Sequence, residues 1–117
     1  METKETKSLQ ERAIEAAARC LKHKSYEIVG TNYNDVDIIA KQDDTLVFIR
    51  VAVRRGQMPK ECWNKQQAES AAFNYMCEYE IEDKQAIRFD YISLMVNSND
   101  RALLRHHINC LEGNEAA

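Results

Sequence analysis

At 117 residues the chain has the length of a single domain, since domains cluster around ~100–150 residues. Hydrophobic residues at 44% and charged residues at 30% are the balance of a globular chain with a buried core. Sixteen Lys and Arg against nineteen Asp and Glu leave a net charge of −3, which excludes a histone-like polycation but not a local basic patch.

The first expected element is a helix. Ser8 followed three residues later by Glu11 fits a capping box, in which each side chain satisfies the other's backbone donor. Leu9, Ala13, Ala16, Ala17, Cys20 and Leu21 then recur at helical spacing, and the many alanines suit close packing on a flat surface such as a sheet. Three strand-like runs follow. Tyr26 to Thr31 is short and rich in β-formers. Asp35 to Lys41 alternates, with Val36, Ile38 and Ala40 on one face and Asp35, Asp37 and Ile39 on the other. Thr45 to Val53 is almost wholly apolar, as a central strand buried on both faces should be. Gln42-Asp43-Asp44 is a tight polar connector, so the last two strands are expected to form an antiparallel hairpin.

Beyond Arg54-Arg55-Gly56 the chain turns. Pro59 suits the first position of a helix, and Trp63, Ala68, Ala71, Ala72, Tyr75, Met76 and Tyr79 trace its apolar stripe. Ala86 to Val96 reads as a strand, apolar except for Arg88, Asp90 and Ser93. Asn97 to Asp100 is a loop, Arg101 to Leu111 a last short element, helix or edge strand, and Glu112 to Ala117 a tail. With the last element taken as a helix the order is α-β-β-β-α-β-α, an α/β chain with a mixed sheet flanked by helices.

Met1 to Gln10 is charged and polar, so no signal peptide is expected, and no apolar run approaches the ~20 residues that span a bilayer. Cysteines at 20, 62, 77 and 110 have neither zinc-knuckle nor redox-dithiol spacing. A cytoplasmic chain with reduced thiols and no membrane contact is the expectation. Three glycines and one proline leave no glycine-rich phosphate loop.

Several residues could carry function. Arg50 shares a strand face with Leu46, Phe48 and Ala52, and a buried guanidinium needs an acid. Asp37 across the hairpin is the expected partner, within hydrogen-bonding range. Residues 50 to 65 hold Arg50, Arg54, Arg55, Lys60 and Lys65 against Glu61 alone, a basic stretch along which a nucleic-acid backbone could lie. Trp63 could stack a base but at its spacing reads as core. Arg101, Arg105, His106 and His107 form a second basic cluster; its histidines, like His23, read as surface residues. Asp35 and Asp37, sharing a strand face, could offer two oxygens to one cation, though a polar strand end is simpler.

Ala17-x-x-Cys20-Leu21, Tyr26-Glu27-Ile28, Asn32-Tyr33, Asn34 to Ala40, Thr45 to Ile49 and Arg88-Phe89-Asp90 follow one another in an order and spacing by which, over roughly residues 9 to 111, the chain resembles the YraN-like family of small bacterial proteins. Ala17-x-x-Cys20-Leu21 matches its "A-x-x-Y-L" helix end, Tyr26-Glu27-Ile28 its "G-Y-x-I" strand and Asn32-Tyr33 its "N-[YW]". Asn34 to Ala40 falls on "G-E-I-D-L-I-A", Thr45 to Ile49 on "T-L-V-F-V", and Arg88-Phe89-Asp90 on "R-F-D". Lys65, the Ala71-Ala72 pair and Tyr75 match the second helix. The resemblance implies a single restriction-endonuclease-like domain, the fold of Holliday-junction resolvases, with an ordered core of about residues 8 to 111. In that superfamily an Asp on one strand and a Glu-x-Lys on the next carry metal-dependent phosphodiester cleavage. Hard carboxylate oxygens hold a divalent cation that polarises the phosphate.

This chain keeps the Asp as Asp37 but has Arg50 for the Glu, Ala52 for the Lys and Ile14 for the family's helix Glu. Fixed positive charge at a cation site is costly: two unit charges ~4 Å apart repel by ~4 kcal/mol at an effective dielectric of 20. The expectation is therefore a catalytically inactive nuclease-fold protein without a cofactor. It would bind DNA or RNA phosphates through Arg50, Arg54, Arg55, Lys60 and Lys65. One alternative is a Mg²⁺- or Mn²⁺-dependent endonuclease rebuilt on Asp35, Asp37 and a further acid. The other is an interaction module that forms a homodimer or docks a protein through its helices or an edge strand.

Overall fold

A computed structural model describes residues 7–60, 63–99 and 101–111. Helix α1 spans Leu9–His23. Its capping box forms as the sequence requires: Ser8 Oγ accepts the Glu11 N–H at 3.1 Å, and Glu11 Oε1 accepts the Ser8 N–H at 2.9 Å. Ser8→Ala should lower the stability to urea by about 1 kcal/mol, read as a shifted midpoint at constant slope. An unmoved midpoint would show that packing alone holds the helix start.

Five strands follow in one sheet whose spatial order is the chain order: β1 (Glu27–Tyr33), β2 (Val36–Gln42), β3 (Thr45–Arg55), β4 (Ala86–Val96) and β5 (Ala102–His107). β1 with β2, β2 with β3 and β4 with β5 pair antiparallel; β3 and β4 pair parallel. A parallel pair needs a long crossover, and helix α2 (Lys65–Glu78) supplies it.

The sheet separates two cores. On one side Ala13, Ala17 and Leu21 of α1 pack on Ile38, Ala40, Val47, Ile49 and Val51, which is what the alanine-rich helix was for. On the other side Ala68, Ala71, Ala72 and Tyr75 of α2 pack on Ile39, Phe48 and Tyr91. Residues of β3 enter the two cores alternately, so the unbroken apolar run belongs to a strand buried on both faces.

Four expectations are corrected. Of the two readings of the last element, helix or edge strand, the edge strand holds, so the order ends β-β rather than β-α. Leu104 and His106 point inward from an edge strand on β4 while Leu103 and Arg105 stay exposed, a period of two. α2 begins at Lys65, well after Pro59, because the Asn64 side chain accepts the Gln67 N–H and so caps the helix there. Trp63 precedes the helix and is buried, as its core reading required. Asp35 lies in the two-residue turn Asn34-Asp35, outside the strand it was assigned to, with Asn34 at φ 52°. Finally, Val36 packs on the α2 side and Ile38 on the α1 side, so simple alternation fails between them and Asp37 sits at the crossing. Among the described residues no helix is long and apolar enough to cross a membrane.

Candidate nucleic-acid interface

Asp37 is half-buried at the open end of β2. The β2–β3 ladder ends at the Ile38–Ile49 pair, leaving the Val51 N–H on β3 without a backbone acceptor from β2. Asp37 Oδ2 fills that place at 2.7 Å, and Gln10 Nε2 of α1 donates to the Val51 carbonyl at 2.9 Å. Burial pushes the Asp37 carboxyl above its usual range. The Val51 N–H and the Arg50 charge pull the other way, and Asp35 adds to the rise.

The expected Asp37–Arg50 contact does not form. No hydrogen bond or ion pair joins the two, and Arg50 acts on Asp37 only through space. Asp37 opens onto a cavity beside α1, lined also by Gln10, Ile14, Ala18 and Asn32. Arg50, in step with Phe48 and Ala52, belongs to the α2 side of the strand. Register alone could not have shown this, because the carboxylate turns to the exposed ladder end rather than across the pair.

Asp35 and Asp37 do not share a site either. Asp35 lines an open polar cleft of about 750 Å³ with Asn34, Asn64, Gln67, Ser70 and Asn74, on the α2 side. The Asp37 cavity holds two further acids, Glu11 and Glu15. Glu11 is committed to the helix cap and Glu15 to an ion pair with Lys7. A divalent cation needs converging oxygens. Ile14, which lines the Asp37 cavity, and Ala52 offer no such oxygen, and no group of three His, Cys, Asp or Glu among the described residues could hold a metal ion. The donor set does not fit such an ion.

The basic residues divide between two faces. Arg50 is half-buried, whereas Arg54, Arg55, Lys60 and Lys65 are exposed. Arg50 and Arg54 are in step on β3. Arg55 is out of step with them and lines a groove beside α1. Lys60 lies in the loop toward α2, where its carbonyl accepts from Tyr91 Oη at 3.4 Å, and Lys65 opens the helix. Arg50, Arg54, Lys60 and Lys65 thus follow the chain from the middle of β3 to the first turn of α2, the helix that also carries Gln67 and Asn74 of the polar cleft.

A second polar centre, at the other end of the sheet, was missed. Asp90 is fully buried. Arg88 grips it with Nε at 2.9 Å from Oδ1 and Nη2 at 3.0 Å from Oδ2. His106 Nε2 lies 2.8 Å from Oδ2, the Asn109 N–H donates to Oδ1 at 2.9 Å, and Tyr26 Oη stands 3.4 Å from Oδ2. His106 is therefore a core residue, its side chain 3% exposed, and not the surface histidine expected. In a strand, adjacent histidines face opposite ways, so His107 stacks edge-on against Tyr91 instead. Burial would raise the Asp90 carboxyl, but His106, Arg88 and the Asn109 N–H together hold it below the usual range. The signal was available as Arg88 and Asp90 two apart on one strand face. Cys20 and Cys110 are half-buried; Cys62 and Glu61 lie outside the described residues.

The profile of an uncharacterised protein family, UPF0102, matches residues 14–94. A UPF0102 protein of Caldicellulosiruptor bescii is 33% identical over 90 residues, 68% of this chain and 75% of that one. One from Legionella pneumophila strain Corby is 33% identical over 104 residues, covering 80% and 88%. One from Geobacter sulfurreducens is 30% identical over 116 residues, covering 91% and 90%. Among solved structures, the Holliday junction resolvase Hjc of Archaeoglobus fulgidus superposes with a TM-score of 0.53 at 12% identity, covering 89% of this chain and 75% of the resolvase. At that identity the likeness is one of fold.

Proposed function

This chain belongs to the uncharacterised family UPF0102, and from its nuclease-like fold we propose a protein that binds nucleic-acid phosphates without cutting them. The observation that carries this reading is the state of Asp37. Its carboxylate closes the end of a strand ladder, Ile14 lies beside it, and Arg50 has turned to the other face. A hydrolytic site needs a second hard donor there, and among the described residues that line the Asp37 cavity the other acids, Glu11 and Glu15, are already committed.

Binding rests on Arg50, Arg54, Lys60 and Lys65 along the α2 side, with Arg55 at the same end of β3. Neutral donors from Asn64, Gln67 and Asn74 line the adjoining cleft. Most protein–nucleic-acid hydrogen bonds go to phosphate and sugar from such groups. The overall charge of −3 confines the attraction to this strip.

The test is gel retardation and cleavage read together, on single-stranded, duplex and branched DNA and a matched RNA, with Mg²⁺ and then Mn²⁺. Retardation that weakens with salt, without product, is the expected result. Arg54→Gln with Lys65→Gln should reduce the salt dependence by about one unit of log–log slope for each phosphate no longer neutralised. Cleavage that disappears in Asp37→Asn would overturn the reading. No retardation and no cleavage, with a concentration-dependent change in size, would favour the interaction module.

A further inference from the structure

Arg55 leaves the strip just described and faces a groove on the opposite side of the sheet, between α1 and the ends of β3 and β4. The groove has a volume of about 200 Å³. Arg12 and Arg19 of α1 rim it, one helical face apart by seven residues, or ~10 Å along the axis at 1.5 Å per residue. Three guanidiniums from two elements thus surround one depression. Leu9, Ala13, Ala16, Val53, Leu94 and Val96 form its floor. Glu15 is its sole carboxylate among the lining residues, and Lys7 already holds it. Arg12 and Arg19 make no ion pair among the described residues.

Apolar side chains line the groove, and the three arginines stand exposed at its rim. Guanidiniums present paired donors in a fork that fits phosphate oxygens. Two of them, Arg12 and Arg19, are in no ion pair among the described residues, and together they match a group carrying two negative charges better than a diester carrying one. A groove of about 200 Å³ has room for a single phosphate-bearing group. We infer that the α1 groove, with Arg12, Arg19 and Arg55, is a phosphomonoester site, separate from the basic strip along β3 and α2. The ligand is a nucleic-acid strand end or a free nucleotide, the strand-end form resting on the binding function proposed above.

The two sources are told apart with three probes at low salt, where screening is weak: a fluorescent single strand bearing a 5′-phosphate, the same strand without it, and adenosine monophosphate as competitor. The phosphorylated strand should bind about tenfold more tightly than its unphosphorylated twin. Arg12→Gln with Arg19→Gln should abolish that difference, with thermal melting confirming that the variant folds. Competition by adenosine monophosphate as strong as by the phosphorylated strand, lost in the same variant, would support the site and assign it to nucleotides. Equal binding of the two strands, with no competition, would overturn the inference. So would a phosphate preference that survives in the double variant. Arg54→Gln separates the two ideas: it should weaken both strands equally and leave their ratio unchanged. Equal binding that is weakened by Arg54→Gln would thus leave the proposed function standing while the groove site falls.

Discussion

Asp90→Ala is expected to destabilise the protein by ~3–5 kcal/mol, the cost of removing one partner from an ion pair whose carboxylate is fully buried and whose guanidinium is half-buried. In a domain of this size that lowers the melting temperature by about 10–20 °C. Asp90 is the hub of everything polar at that end of the sheet. It accepts two bonds from Arg88 and one each from His106 and the Asn109 N–H. Arg88 also donates to Gln42 Oε1 at 3.0 Å and to Tyr26 Oη at 2.7 Å, tying β2, β4 and the residue before β1 together. Lys24 Nζ, which can only donate, lies 3.0 Å from His106 Nδ1. That ring nitrogen is thus the acceptor, and Nε2–H points at Asp90. Removing the carboxylate strands a guanidinium and an imidazole at once. The double variant Arg88→Met with Asp90→Leu should be less damaging than Asp90→Ala alone, because it deletes both charges together. If the double variant proves the worse, the pair contributes net stability of its own.

The same network sets an acid limit. Asp90 has its carboxyl lowered on folding, so its contribution is present above the unfolded carboxylate range. It is lost as the pH falls through the still lower folded value. Unfolding by acid should therefore begin below about pH 4, and a melting temperature already collapsing at pH 6 would point to a different trigger.

Patterned positions were legible in the sequence, and the ends of elements were not. The capping box, the hairpin at Asp43-Asp44 and the central β3 follow from local rules of cap, turn and alternation. The ratio of alanine to larger residues in α1 said correctly that it lies on a sheet. Pro59 misled because a good first-turn residue yields to a better cap, and Asn64 is one. His106 misled because a basic cluster looks solvated until a strand alternates it. Its partner Asp90 is 16 residues away in sequence, beyond any local rule. Arg54 and Arg55 looked like one patch for the same reason, and the pleat of β3 sends them to opposite faces. The Asp37–Arg50 pairing was a fair inference from register. It fails because a ladder end leaves a free N–H, and a buried donor without an acceptor costs more than an ion pair at the surface returns.

Asp37 offers the sharpest separation of structure from function. Asp37→Ala removes the acceptor of the Val51 N–H and should cost about 1–3 kcal/mol. Asp37→Asn keeps an oxygen there and removes only the charge. Because burial raises the carboxyl above its unfolded value, the folded state prefers the protonated form. Stability from this group is greatest at low pH and falls as the pH rises from the unfolded value through the folded one. At neutral pH the ionised Asp37 thus works against folding, and Asp37→Asn should melt at or above the wild-type temperature. That advantage should close as the pH approaches about 4, where the wild-type side chain also becomes neutral. A lower melting temperature for Asp37→Asn at pH 7 would show that the charge is structural after all, with Arg50 its partner at a distance. On the binding side, Asp37 opens beside α1 and away from the basic strip, so Asp37→Asn should retard oligonucleotides as strongly as the wild type. A variant without the charge that still folds and still binds would leave Asp37 as the end-piece of a strand ladder. Binding that fails in the same well-folded variant would mean the carboxylate itself holds something in that cavity.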